Sequence, residues 1–230
     1  APFVQQTLRK MHPTSFLEIS ALNALNRPGP IAFIPQFIAR MHGEEEIEYV
    51  HPKAEPILKE TYGIIVYQEQ VMQLTRALAG FTRGQSDNVR KAMGKKIIKM
   101  LDELEGKFYE GCEKEQTLDR ATAKDLWEKF KEFAKYAFNK SHAIAYSIVA
   151  NQCAYLKANY TAEFLAASMS SNLNDTDQLA VFVDDAKSNF NIAIVAPDIN
   201  ISESLFTVQN GKIVYGLAAI KGVGTQATDA

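Results

Sequence analysis

The chain has 230 residues, of which 47% are hydrophobic and 23% are charged, and this composition excludes intrinsically disordered and collagen-like proteins. The 25 lysines and arginines nearly balance the 27 aspartates and glutamates, so the net charge of −2 disfavours a nucleic-acid partner, although the charge is unevenly spread. No apolar run reaches the roughly 18 to 20 residues that a membrane-spanning helix needs, so we expect no membrane partner.

Residues 14 to about 186 have the hydrophobic spacing of successive helices. Capping boxes, in which a hydroxyl residue precedes a Glu or Gln by three positions, predict helix starts at Ser15 and Thr82. Gly80 predicts the end of the helix before Thr82, and the helix after Thr82 is expected to end near Gly94. Apolar residues at spacings of three and four predict two further amphipathic helices, with stripes at Ile97, Leu101, Leu104, Phe108 and Cys112 and at Ala123, Trp127, Phe130 and Ala134.

Ser141 is predicted to be the N-cap of a long helix that ends near Asn159, and Thr161 is predicted to cap the helix that follows. Cys112 and Cys153 lie apart in helical patterns, which predicts buried free thiols and a cytoplasmic protein. The spacing of the apolar residues in the long helix indicates that it is buried on several sides, at Tyr146, Val149, Cys153, Leu156 and Tyr160.

The pattern changes from helix to strand after Phe190. Residues 191–195 form a candidate strand, and two further candidates flank Asn210 and Gly211, the preferred pair for a type I′ hairpin turn. The expected fold is therefore mainly α, with a small C-terminal β-hairpin element. After it, residues 220–224 (IKGVG) offer unobstructed backbone amides, as phosphate-binding turns do.

The first segment that carries chemistry is the basic stretch 83–96 (RGQSDNVRKAMGKK). Its cations gather towards one helix end, and Gly94 among them permits close approach of a phosphate. Arginine and lysine together supply both forked and point-charge donors. The alternative is a solvated basic face without a ligand.

The second segment is 138–146 (FNKSHAIAY). If Ser141 caps the helix, His142 lies in the first turn and Tyr146 one turn further along the same face. The first-turn amides and the helix dipole favour an anion there, and Lys140 adds a full charge. The alternative is a capped core helix with a histidine whose hydrogen bonds are satisfied.

Together the two segments predict a site for a polyphosphate that carries an aromatic base, with Tyr146 available for stacking. The four histidines are scattered without a second ligand at metal spacing, so the sequence predicts no metal site. It also lacks closely placed metal-binding carboxylates and a glycine-rich loop that ends in Lys-Ser/Thr, which makes a self-contained nucleotide-using enzyme improbable.

Six segments in order resemble motifs of the bacterial C-family replicative DNA polymerases, the polymerase III alpha subunits. They are residues 26–30 (NRPGP), 60–72 (ETYGIIVYQEQVM), 90–96 (RKAMGKK), 138–143 (FNKSHA), 196–200 (APDIN) and 216–224 (GLAAIKGVG). The resemblance extends over nearly the whole chain from about Leu8. It implies the fingers region of a longer polymerase, with residues 1–30 as lead-in from the palm and first helix, 31–188 as the helical fingers domain, and 189–230 as the small β element and the start of a helix-hairpin-helix region.

The resemblance also implies the roles of individual residues. The incoming deoxynucleoside triphosphate is expected to bind at Arg90, Lys91, Lys95, Lys96, Lys140, Ser141, His142 and Tyr146. From their residue types and positions, and not from the resemblance, His142 and Lys140 are the candidate proton donors to the leaving pyrophosphate. DNA is expected to bind at Arg83, Lys221, Gly222 and Gly224.

Other partners are implied outside these residues. Mg²⁺ is expected on palm aspartates that this chain does not contain, and primed template DNA, the sliding clamp and other replicase subunits are the expected macromolecular partners. The isolated chain is therefore expected to be inactive in nucleotidyl transfer. The alternative function is a helical module that binds the DNA backbone without a nucleotide site.

Overall fold

A computed structural model of the chain describes residues 2–95, 97–223 and 225–228. The chain divides into two compact units, Ala1–Ile148 and Val149–Ala230. No helix in the described part of the chain has the length and apolar character needed to cross a bilayer. The fold is mainly α with a small C-terminal sheet, as the sequence predicted, whereas the domain boundaries expected after residues 30 and 188 stay a prediction.

The regular elements that the structure describes in the first unit are helices. Its helices are α1 (Pro2–Met11), α2 (Phe16–Leu25), α3 (Ile34–Met41), α4 (Glu55–Leu58), α5 (Gln68–Ala79), α6 (Arg83–Gly94), α7 (Ile98–Lys114), α8 (Arg120–Ala134) and α9 (Lys140–Asn159), and the unit boundary falls within α9. Shorter 3₁₀ turns lie at Pro30–Phe33, Pro52–Ala54 and Lys59–Thr61.

The predicted capping boxes and the predicted glycine stop are confirmed. Ser15 and Glu18 exchange hydrogen bonds at the start of α2, and Thr82 and Gln85 do so at the start of α6. Gly80 follows α5 in the left-handed conformation, with φ of 65°, which costs a residue without Cβ little. These helices therefore begin and end where local side-chain chemistry requires.

Two buried clusters hold the first unit together. In the larger one, α5 to α8 pack around an aromatic group in which the rings of Phe108 and Trp127 lie 5.0 Å apart between centroids. In the other, α1 to α3 pack against the extended run 64–67 and against Ala143 of α9. Both predicted stripes are buried except at Ile97, which precedes α7 and is 41% exposed.

The sequence interpretation of α9 was wrong in three respects. The helix begins at Lys140 and is capped by Asn139, whose side-chain oxygen accepts the His142 N–H at 2.8 Å, so Ser141 is not the N-cap. The large apolar residues are exposed, with Tyr146 at 63%, and Cys153 is exposed rather than buried. The reason is that the helix buries its small residues, Ala143 and Ser147.

The second unit combines helices with a three-stranded sheet. Its elements are α10 (Thr161–Ser170), α11 (Thr176–Asp184) with a π-helical continuation at Asp185–Asn189, β1 (Ile194–Val195), β2 (Thr207–Gln209), β3 (Lys212–Val214), a 3₁₀ turn at Leu217–Ala219 and α12 (Thr225–Thr228). Tyr160, not Thr161, precedes α10 as its cap residue.

The predicted hairpin supplies β2 and β3, and β3 is the central strand of that sheet. β2 and β3 pair antiparallel through Asn210 and Gly211, which both have positive φ (52° and 73°), as a type I′ turn requires. β1 adds to β3 in parallel, with Ile194 opposite Ile213, so the order is β1-β3-β2. Ile213 is fully buried, and the sheet packs its apolar face with residues of α10 and α11.

Candidate nucleotide-binding site

The basic segment forms one face of α6. Val89, Ala92 and Met93 are buried in the larger core cluster, which leaves the charged residues of the helix towards solvent. Arg83 in the first turn and Lys95 directly after the last turn are exposed. Lys96, also predicted to bind nucleotide, lies outside the described residues.

Asp87 binds the two middle cations of this face. Its carboxylate oxygens lie 2.8 Å from Arg90 Nη2 and 2.9 Å from Lys91 Nζ. Hydrogen bonds from Lys91 and Arg90 lower the pKa of Asp87, so it stays ionised. Any anion that binds these two cations therefore competes with an internal carboxylate.

The start of α9 is also occupied by an acidic side chain. Glu69 of α5 accepts the Lys140 backbone N–H at 2.9 Å and the Asn139 side-chain amide at 2.7 Å. The first-turn amides that the sequence favoured for a bound anion are thus partly used by the chain's own carboxylate. Ser141 is exposed beside them.

The Lys140 side chain forms a second contact of this kind. Its ammonium lies 2.6 and 2.7 Å from the two carboxylate oxygens of Glu60, and the two side chains are 31% and 27% exposed. The ammonium also lies 5.7 Å from the centroid of the Tyr67 ring. Burial raises the pKa of Tyr67 to about 12, so this ring remains neutral.

Three aromatic side chains follow one edge of this region. The His142 ring lies 5.4 Å from Phe138 and 4.8 Å from Tyr146, measured between centroids. The Arg27 guanidinium stacks 4.1 Å from the Phe138 ring. His142 and Tyr146 are themselves exposed, so their faces are accessible to a planar ligand.

The amino end of α5 joins the two predicted segments. The Gln68 N–H donates to the Phe138 carbonyl at 2.9 Å, while a Cβ placed on Gly94 would lie 3.8 Å from Gln68 Nε2. The carboxyl end of α6 and the start of α9 therefore both adjoin the first turn of α5. The sequence analysis predicted that these two segments form one site, and the first turn of α5 is the element that brings them together.

Glu60, Gln68 and Glu69 were not among the site residues predicted from the sequence. All three lie in the segment 60–72, which was recognised only as a motif. For the two glutamates, the signal that could have identified them is an acidic residue within a recognised motif, because internal carboxylates commonly neutralise buried or clustered cations. Their partners lie 71 and 80 residues further along the chain, which no local pattern shows.

In the second unit, the predicted DNA-binding residues lie on a turn. The Val223 N–H donates to the Ile220 carbonyl at 2.9 Å, and Gly222 has a φ of 89°, which favours glycine. Lys221 and Gly222 are exposed, and Gly224 lies outside the described residues. α12 follows this turn.

The described residues do not fit a Mg²⁺ site. They contain no cluster of three His, Cys, Asp or Glu side chains placed to hold a metal ion. The carboxylates nearest the predicted nucleotide site, Glu60, Glu69 and Asp87, are each bonded to cations or N–H groups of the chain.

Comparison with known proteins identifies the family. The model for the bacterial DNA polymerase III alpha subunit finger domain matches residues 1–116, which is just over half of the chain. The chain belongs to this family. A helix-hairpin-helix motif matches residues 191–230, the region of the sheet and of the turn at Gly222.

Full-length relatives of this finger-domain family agree with the assignment. The chain is 47% identical to DNA polymerase III subunit alpha of Treponema pallidum over 97% of its length, 46% identical to that of Caulobacter vibrioides over 97%, and 42% identical to that of Pseudomonas aeruginosa over 99%. It spans about a fifth of the length of these relatives (19%, 19% and 20%). The family match includes Glu60, Glu69 and the basic face of α6, and it ends before α9.

Proposed function

We propose that this chain is part of a DNA-directed DNA polymerase and that its first unit binds the incoming deoxynucleoside triphosphate. The observation that carries the proposal is the junction at α5, where the Gln68 N–H donates to the Phe138 carbonyl just before α9 and the Gln68 side chain lies close to Gly94 at the end of the basic helix. Arg90, Lys91 and Lys95 would bind phosphate oxygens from one side, and the 138–146 segment would bind from the other.

The chemistry of the two sides suits different parts of a nucleotide. Arg90 and Lys91 already contact a carboxylate at 2.8 and 2.9 Å, and this ion pairing supports their proposed binding of an oxyanion. On the α9 side, Lys140 and Ser141 offer polar donors, while exposed Tyr146 and His142 offer ring faces for the sugar or base.

His142 is the proposed proton donor to the leaving pyrophosphate. Departure of pyrophosphate is faster when its developing charge is neutralised, and imidazole titrates near working pH. The exposed position of His142 leaves its ring accessible to a phosphate. Lys140 is the competing candidate, but its ammonium protons point to Glu60 in this structure, so it would first have to exchange partners.

The second unit is proposed to bind DNA. The helix-hairpin-helix match and the exposed Lys221 beside Gly222 support contacts from backbone amides and an ammonium to a phosphate. Arg83 of the first unit is a proposed additional DNA contact. Primed template, the sliding clamp and other replicase subunits are the proposed partners of the whole polymerase, with Mg²⁺ bound by its palm.

The proposal is tested by Arg90→Ala and Lys95→Ala in the full-length polymerase. Each variant removes a charge-assisted phosphate contact worth about 1.5 to 3 kcal/mol, so the nucleotide KM should rise roughly 10- to 150-fold. Arg120→Ala is the matched control, because Arg120 also pairs with a helical carboxylate, Glu113 at 3.0 Å, but lies outside the site. Its KM should be unchanged.

The alternative function gives the opposite result. If Arg90→Ala and Lys95→Ala leave the nucleotide KM unchanged but weaken DNA binding with a reduced salt dependence, the basic face binds the DNA backbone and the nucleotide assignment is wrong.

A further inference from the structure

The ion pair between Lys140 and Glu60 has a feature that the proposed nucleotide site does not require. Both carboxylate oxygens approach the same ammonium, at 2.6 and 2.7 Å. An ammonium has three N–H donors, and this arrangement directs them largely to one internal acceptor. Two of the three N–H donors are thus directed to Glu60, so a phosphate that takes more than the one remaining donor must displace part of this bonding.

Glu60 is held in place by its neighbour in the chain. Thr61 is 1% exposed, and its hydroxyl donates to the Ile64 carbonyl at 2.6 Å while accepting from Gln70 Nε2 at 2.8 Å. These bonds fix the 3₁₀ turn at Lys59–Thr61 against the start of α5. When a ligand draws Lys140 away, the backbone of Glu60 cannot follow, and its carboxylate stays near the site.

A polyphosphate at the start of α9 would therefore meet negative charge. The Glu60 carboxylate forms an ion pair with the Lys140 ammonium, and Glu69 accepts the Lys140 backbone N–H at 2.9 Å. Both carboxylates repel a phosphate, and Glu60 also competes with it for the same cation. Competition and repulsion act in the same direction, towards weaker nucleotide binding.

We propose that Glu60 is an internal competitor for the nucleotide phosphates and sets the affinity of the site through Lys140. Without nucleotide, Glu60 neutralises the ammonium. When nucleotide binds, its phosphate takes over part of that role, so each binding event exchanges one anion for another. The inference rests on the proposed function, because it assumes that Lys140 contacts the phosphates.

The opposing interpretation is that Glu60 only positions Lys140. Glu60→Gln distinguishes competition from positioning, because the amide oxygen of Gln still accepts a hydrogen bond from the ammonium while the negative charge is gone. If positioning dominates, this variant should bind nucleotide no better than the natural chain. If competition dominates, it should bind more tightly.

The experiment measures the Kd of dATP on the full-length polymerase with a template thymine opposite the incoming base and a primer that ends in a dideoxynucleotide. Glu60→Gln should lower the Kd about three- to tenfold, and Glu60→Ala should change it in the same direction. Glu55→Gln is the matched control, because Glu55 pairs with Lys59 at 3.9 Å in the same region of the chain and is exposed. Its Kd should be unchanged.

The double variant Glu60→Gln/Lys140→Ala tests the route. The gain from Glu60→Gln should disappear when Lys140 is absent. An equal gain in affinity with and without Lys140 would overturn the exchange mechanism. An unchanged or raised Kd for Glu60→Gln would also overturn it if Lys140→Ala weakens binding. In both cases the proposed function survives. If Lys140→Ala and Arg90→Ala both leave the Kd unchanged, the proposed function and this inference fail together.

Discussion

Replacement of Gly111 by alanine tests how closely α7 packs against the carboxyl end of α5, the helix whose amino end joins the two sides of the site. A Cβ at Gly111 would lie 2.2 Å from the Ala79 carbonyl oxygen and 2.9 Å from the Ala79 Cβ. The obstructing atoms are backbone and a Cβ, so no side-chain rotation relieves the clash. Thr117 also holds this end of α5, since its hydroxyl donates to the Leu78 carbonyl at 2.5 Å.

The matched control lies on the same helix. Gly106 is exposed, and a Cβ there would meet nothing within 4 Å. Gly106→Ala should therefore increase the free energy of unfolding by about 0.5 to 1 kcal/mol, the usual gain for replacing glycine within a helix. Gly111→Ala gains the same helix preference, but the clash with Ala79 costs more than this gain. We therefore expect the free energy of unfolding to fall by about 1 to 3 kcal/mol.

The assay is thermal or urea unfolding of the 230-residue chain followed by tryptophan fluorescence. The chain has one tryptophan, Trp127, and it is fully buried in the cluster that contains Ala79, so its emission reports this core. Since 1 kcal/mol shifts Tm by roughly 2 to 4 °C for a chain of this size, the Tm of Gly111→Ala should lie at least about 3 °C below that of Gly106→Ala.

Equal stability of the two variants would contradict this prediction. It would mean that Gly111 and Ala79 lie too far apart for an added Cβ to clash, so that α7 does not set the position of α5. A destabilised Gly106→Ala would contradict the helix assignment of α7 itself.

Two further predictions concern ionisable groups. Burial opposes ionisation of Glu18, but hydrogen bonds from Tyr62 and from two backbone N–H groups outweigh it and lower the pKa of Glu18 below the ordinary 4.5. The stability that the ionised carboxylate contributes is present above pH 4.5 and is lost as the pH falls through the lowered pKa. Glu18→Gln should therefore cost about 1.5 to 3 kcal/mol at pH 7 and flatten the acid side of the stability curve measured by urea unfolding. His142→Gln in the full-length polymerase should lower the single-turnover rate and change its pH profile with a smaller effect on nucleotide affinity. If His142→Gln changes neither while Lys140→Ala abolishes turnover, the proton donor is Lys140.

Local interactions explain why the sequence predicted most element boundaries. The bonds between Thr82 and Gln85 and between Ser15 and Glu18 join residues three positions apart, so they form in any context in which the helix forms. The hairpin turn at Asn210 and Gly211 likewise depends on the backbone freedom of these two residues.

Features that depend on a neighbouring element were predicted less well. Asn139 and Ser141 are both good N-cap residues. Asn139 is the one that caps α9, and its side-chain amide also donates to Glu69, a residue of α5. The apolar residues of α9 surround much of the helix, so the sequence pattern did not identify the face that packs. Small residues at Ala143 and Ser147 permit a close approach, and that face is the one buried.

The mainly α fold, the position of the C-terminal hairpin, the family and the residue types of the candidate site could all be predicted from the amino-acid sequence. The pairing of the charged residues is visible only once the chain is folded. Glu60 and Lys140 are 80 residues apart, yet their side chains meet because the buried bonds of Thr61 and Gln70 hold the 3₁₀ turn before α5 in place, and the Gln68 N–H binds the Phe138 carbonyl just before α9. Electrostatic energy falls with distance in space, not along the chain, so this pairing follows from the packing of distant segments.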